Sequence, residues 1–202
     1  MNIIILGGFL GSGKTTTLLS LARYLVDNST SDSEFKAMII ENEVGEIGID
    51  DSFISGSGLR VNTLFSGCAC CTLSGELTTT AQMIQRDFNP DWIILETTGV
   101  AYPRSMQENL ERATQARAKI SILVDVNRFE RQMRALENLI TDQIVGSDAV
   151  LVNKIDLADD EMIATVKAHI EQIEPNTQLH LICANQGVDE SVWISTVGKE
   201  GL

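Results

Sequence analysis

Gly8-Phe9-Leu10-Gly11-Ser12-Gly13-Lys14-Thr15 fits the pattern G-x-x-x-x-G-K-[ST], and its surroundings fit as well. The apolar run Ile3 to Leu6 precedes it, and Leu18, Leu21, Ala22 and Leu25 follow at helical spacing. Strand, loop and helix in that order are the context a phosphate-binding loop requires. Small residues let the chain wrap closely around phosphate oxygens with its N–H groups turned inward, and the helix N-terminus adds positive potential. Gly8, Gly11, Ser12, Gly13, Lys14, Thr15 and Thr16 are therefore the candidate phosphate contacts. Lys14 is expected on the β and γ phosphates and Thr15 on a Mg²⁺ ion.

Outward from this loop, short and nearly continuous apolar runs recur at Ala37 to Ile40, Val61 to Phe65, Trp92 to Leu95, Ile120 to Val124, Ala149 to Val152 and Leu179 to Ile182. Runs without polar alternation belong to strands buried on both faces, as in a parallel sheet. Further helical patterns lie between them: one starts near Asp159 and carries Met162, Ile163, Val166, Ile170 and Ile173, and another starts at Pro103 and runs toward Gln115. The reading is an α/β fold, a three-layer P-loop nucleoside triphosphatase with a mostly parallel central sheet and right-handed crossovers. Two stretches interrupt the rhythm. Asp27 to Glu34 is polar and Ser-rich, a surface loop; Glu41 to Asn62 is long, acidic and Gly-rich, a length that favours a functional loop.

The 202 residues, 44% hydrophobic and 21% charged, make one domain spanning 1–202. With 28 acidic against 15 basic residues the net charge is −13, which excludes a nucleic-acid surface. The N-terminal apolar run has no basic flank, and no stretch reaches the roughly 18–20 apolar residues of a membrane span. The expected location is the cytoplasm. Of four cysteines, Cys68, Cys70 and Cys71 lie within four positions, too close to staple distant parts of a fold.

Asn153-Lys154-Ile155-Asp156 follows the run Ala149 to Val152, at a strand end where doubly wound sheets bind ligands. In N-K-x-D an aspartate can accept both N1–H and the 2-amino group of guanine, donors that adenine does not offer in that arrangement. Asp156 is thus the base selector of a GTP site, with the Lys154 stem over one face of the base and Asn153 tying this loop to the phosphate loop. Cys183-Ala184-Asn185 follows the next strand and is positioned for backbone contacts to the base, Cys183 itself reading equally as a packing residue. Two acids compete for the place near Mg²⁺. Glu96 is favoured because Gly99, three residues on, can bring a backbone N–H to the γ-phosphate; Asp125 is the alternative. Either would act through a water, since octahedral Mg²⁺ keeps several.

Three thiolates in C-x-C-C suit a soft or borderline ion such as Zn²⁺ or another transition metal, and leave a tetrahedral site one ligand short. An open position suits an ion that is handed on. Glu41, Glu43, Glu46, Asp50 and Asp51 cluster just before; spacing alone reads equally as a solvated acidic loop or as a metal or switch segment.

Together GGFLGSGKTT, ENEVGEIGIDD, SGCACCTLSGEL, ILETTGVAYP and DAVLVNKIDL, in this order, resemble the CobW-like GTPases of the CobW/HypB/UreG metallochaperone group over roughly residues 1–160. The resemblance implies a SIMIBI-class GTPase of slow intrinsic turnover that couples GTP and Mg²⁺ to delivery of a metal. It makes Cys68, Cys70 and Cys71 ligands for Zn²⁺ or another transition metal and Glu41 and Glu46 auxiliary ligands. It further implies a client metalloenzyme or metal-acceptor protein as partner and a nucleotide-dependent homodimer. Members of that group commonly carry a second C-terminal domain and often a His-rich stretch; this chain ends at Leu202 with only His169 and His180, so the expectation is the GTPase domain alone, without metal storage. Two other function classes fit the loop: a P-loop kinase for a small molecule, which would prefer ATP, and a nucleotide-gated interaction or redox-switch module.

Overall fold

A computed structural model describes residues 1–28, 37–41, 59–63 and 73–198, with side chains of 41, 59–63 and 73–74 left aside. Seven strands, β1 (Asn2–Gly8), β2 (Ala37–Glu41), β3 (Leu59–Thr63), β4 (Trp92–Glu96), β5 (Arg117–Asp125), β6 (Ala149–Asn153) and β7 (Gln178–Leu181), form one sheet in the order β3-β2-β4-β1-β5-β6-β7. Every pairing is parallel. Each strand overlaps one of the seven apolar runs.

The runs are continuous because both faces of the sheet are covered. On β1, Ile3 and Ile5 enter one core and Ile4 and Leu6 the other, all fully buried. Successive side chains of a strand point to opposite faces, so a polar residue at either parity would face a core. Full burial of each is worth about 1.5–3 kcal/mol. One core is roofed by α1 (Lys14–Asp27) and α6 (Glu190–Val197), through Leu18, Leu21, Leu25 and Trp193. The other is covered by α2 (Leu73–Phe88), α3 (Pro103–Thr114), α4 (Phe129–Ile144) and α5 (Asp160–Ile173).

Local signals explain the helix starts. Pro103 begins α3, where its missing N–H has no partner to lose. The Asp159 side chain accepts from Met162 N at 2.8 Å, satisfying an end group of α5. Helix α4 had no clean sequence signature. Its buried positions Phe129, Ile140 and Ile144 are split by a bend at Leu136, whose φ of −143° and ψ of 38° leave the helical region.

Among the described residues no helix is long and apolar enough to cross a membrane.

Candidate nucleotide-binding site

Because the strands are parallel, their C-terminal ends lie on one edge, which gathers the segments 8–15, 96–99, 125–128, 153–156 and 183–186. The phosphate loop turns from β1 into α1, and Ser12 N donates to Phe9 O at 3.1 Å within it. Gly13 sits at the helix cap with φ 101°, and a Cβ there would come within 2.4 Å of the Asn153 amide nitrogen. No other residue combines that backbone with that clearance. Lys14 is buried, its Nζ 3.4 Å from Phe9 O, so its ammonium stays within the loop. Thr16 is exposed on the first turn of α1.

Thr15 Oγ1 donates to Glu96 Oε1 at 3.1 Å, joining the end of β4 to the start of α1. Asp125 sits elsewhere. Its carboxylate receives Lys154 Nζ at 2.7 Å and the Asn127 N–H at 3.0 Å, with the Arg128 guanidinium 3.5 Å away. That carboxylate is committed to side-chain cations and a backbone donor, whereas Glu96 contacts the hydroxyl expected to face Mg²⁺.

Asn153 is buried and braces three segments. Its Nδ2 donates to Ser12 O at 2.8 Å, and its Oδ1 accepts from Lys154 N and Ala184 N at 2.8 and 2.9 Å. Lys154 has a left-handed backbone, φ 65°, and its Nζ donates to Gly11 O at 2.6 Å. Its charged end therefore serves the phosphate loop and the Asp125 carboxylate. Asp156 lies in the short 3₁₀ turn Ile155–Leu157, and Cys183 Sγ donates to its Oδ1 at 2.9 Å. Cys183 is thus not a packing residue, as the sequence had suggested. It is partly exposed and hydrogen-bonded to the base selector, and that bond raises its thiol above the usual cysteine range, keeping it a neutral donor.

Gly99 lies against the phosphate loop: a Cβ there would stand 2.9 Å from Leu10 N. Two participants escaped the sequence reading. Arg128 lies over the loop, its Nη1 3.0 Å from the position a Gly11 Cβ would take, and Gln143 reaches the 99–101 segment from α4. Neither belongs to a motif; only the register of β5 and the fold of α4 bring them here.

Cys68, Cys70, Cys71, Glu43, Glu46, Asp50 and Asp51 lie outside the described residues. Glu41 closes β2, and its backbone is in register with Glu96 of β4.

The Gly-rich loop between β1 and α1, closed against Asn153 at Gly13 with no space for a side chain, together with the side chains of Lys14, Thr15 and Glu96, fits a nucleoside triphosphate with its cation. The sequence model of CobW/HypB/UreG, nucleotide-binding domain, matches residues 2–180. The chain belongs to that family. It is a nucleotide-binding domain of the CobW/HypB/UreG type. The zinc-regulated GTPase metalloprotein activator 1 of Dictyostelium discoideum is 24% identical over 218 residues, covering 88% of this chain and 44% of that protein. The zinc chaperone YeiR of Escherichia coli is 30% identical over 157 residues, covering 75% and 46%. The CobW/HypB/UreG domain described here thus spans a little under half the length of both. Among solved structures, the hydrogenase maturation factor HypB of Archaeoglobus fulgidus has the same fold, with a TM-score of 0.69 at 16% identity over all of this chain and 91% of that one.

Proposed function

We propose that this domain binds and hydrolyses GTP with Mg²⁺ and that its nucleotide state controls the affinity of a Cys68/Cys70/Cys71 site for Zn²⁺ or another transition metal, its cargo. The observation that carries the nucleotide half is the brace from Asn153 to Ser12 O, which sets Asp156 at a fixed reach from the phosphate loop. Asp156 accepts the two guanine donors, with the Lys154 stem over one face of the ring. Gly8, Gly11, Ser12, Gly13 and Thr16 line the phosphates with backbone and hydroxyl donors. Lys14 neutralises the β and γ phosphates, Thr15 would hold Mg²⁺ directly and Glu96 through water, and Gly99 presents its N–H to the γ-phosphate. Mg²⁺, when bound, supplies charge neutralisation between the β and γ phosphates. Catalysis is positioning and electrostatic stabilisation, which fits slow turnover.

The metal half is supported by the thiol spacing and by relatives that are named zinc chaperones and a zinc-regulated activator. Glu41 and Glu46 are the auxiliary ligands. The register of Glu41 with Glu96 supports coupling, since it puts the backbone of one auxiliary ligand beside the acid proposed for the Mg²⁺ site. Such a domain works in a reducing cytoplasm, passes its ion to a client metalloenzyme or acceptor protein, and pairs with a second copy when nucleotide is bound.

The deciding measurement is Zn²⁺ affinity with GDP and with a non-hydrolysable GTP analogue. Coupling requires different affinities, because a ligand without differential affinity shifts no equilibrium. Equal affinities sink the coupling, and preference for ATP over GTP in competition sinks the base assignment.

A further inference from the structure

We infer that Gln143 is the positioning residue through which the domain distinguishes a nucleotide triphosphate from a diphosphate. Gln143 lies at the end of α4, 44 residues from Gly99 in sequence, and is 2% exposed. Its Nε2 donates to Gly99 O and to Ala101 O, each at 3.1 Å. A primary amide nitrogen carries two protons, so both donors are spent on this one segment.

The segment is a tight unit. Ala101 N donates to Thr98 O at 3.2 Å, closing a turn over Thr98 to Ala101. Val100 and Tyr102 project outward, 57% and 54% exposed, so their side chains anchor it little. On its other side Gly99 packs on the backbone of Phe9 and Leu10 with no space for a methyl group. The turn is tied to β1 through Thr97 N and Leu6 O at 3.0 Å and buries Ala101, and between these anchors the Gln143 amide is the side chain that fixes the Gly99 and Ala101 carbonyls. Loss of both donors would leave two carbonyls without their partner, a cost that the turn can relieve by moving away from α4.

This inference rests on the reading of Gly99 as the γ-phosphate contact, and the experiment separates the two. Gln143→Met keeps length and approximate volume and removes both donors. Affinities for GDP and a non-hydrolysable GTP analogue are measured for the wild type, Gln143→Met and Gly99→Ala. Expected for Gln143→Met is a loss of about tenfold or more for the GTP analogue against less than about threefold for GDP, since one lost hydrogen bond corresponds to roughly tenfold. A general loss of structure would weaken both nucleotides alike. Equal losses, or none, overturn the inference: if Gly99→Ala still shifts the ratio, the Gly99 reading stands and Gln143 alone is wrong, and if it does not, both fall. Should Gln143→Met not fold, the wild type answers instead. The side-chain amide resonances of Gln143 must differ between the GDP and GTP-analogue states, and identical resonances overturn the inference.

Discussion

At the scale of single residues the site is organised by side chains that serve the backbone of another segment. Asn153 holds three segments with one amide, and its burial makes each bond hard to replace with water. Asn153→Ala should destabilise the domain by about 1–3 kcal/mol in urea unfolding and should weaken GDP binding more than Lys14-independent contacts alone would. Cys183 offers a finer test. Its thiol donates to Asp156, so Cys183→Ser should bind GTP within about twofold of the wild type, whereas Cys183→Ala should bind a few-fold more weakly in a titration with labelled nucleotide. The pH dependence has a definite sign. A raised thiol pKa means that the hydrogen bond is fully present below the ordinary cysteine value of 9.0 and is lost as pH rises through the higher folded-state value. Wild-type GTP affinity should fall more steeply in that alkaline window than that of Cys183→Ser, whose hydroxyl does not titrate there, the loss of the guanine N1 proton being common to both.

At the scale of elements, Thr15 on α1 contacts Glu96 on β4, the strand end proposed for the Mg²⁺ side, while Asp125 on β5 faces Lys154. Glu96→Gln should raise the Mg²⁺ concentration for half-maximal GTP hydrolysis by about tenfold while GDP affinity without Mg²⁺ changes little. Asp125→Asn should instead weaken nucleotide binding with or without Mg²⁺, because it loosens Lys154 from Gly11. A second pair of elements, β7 and α6, is joined by His180 Nε2 and Ser195 Oγ at 3.0 Å. Burial holds the imidazole below its ordinary pKa of 6.5, so the folded form binds fewer protons than the unfolded one as pH drops below that value. Thermal midpoints of the wild type should therefore fall from pH 7 to pH 5 more steeply than those of His180→Gln. If the two slopes match, the imidazole carries no such load.

At the scale of the whole molecule, a parallel sheet puts every strand's C-terminal end on one edge, and five segments separated by up to about 170 residues meet there without any one of them containing the site. The strands, the phosphate loop and the base-recognition tetrapeptide were legible in the sequence because each is a local pattern: an unbroken apolar run, a Gly-rich turn before a helix, an Asn and an Asp at fixed spacing. Helix α4 was not, since its bend at Leu136 breaks the periodicity on which such reading depends. The choice of Glu96 over Asp125 was open in the sequence because both acids end buried strands, and side-chain partners from α1 and β6 separate them only in space. Cys183 read as packing because a lone cysteine after a strand resembles a small apolar residue until the carboxylate opposite it is known. By itself the sequence determined the fold class and the strand, loop and helix around residues 8–15, both properties of contiguous residues. Only the tertiary structure decided which acid meets Thr15, what the Lys154 ammonium and the Cys183 thiol bind, and that Gln143 and Arg128 reach the 99–101 turn and the phosphate loop, because contacts across 27 to 143 residues depend on strand order and helix placement that no local pattern encodes.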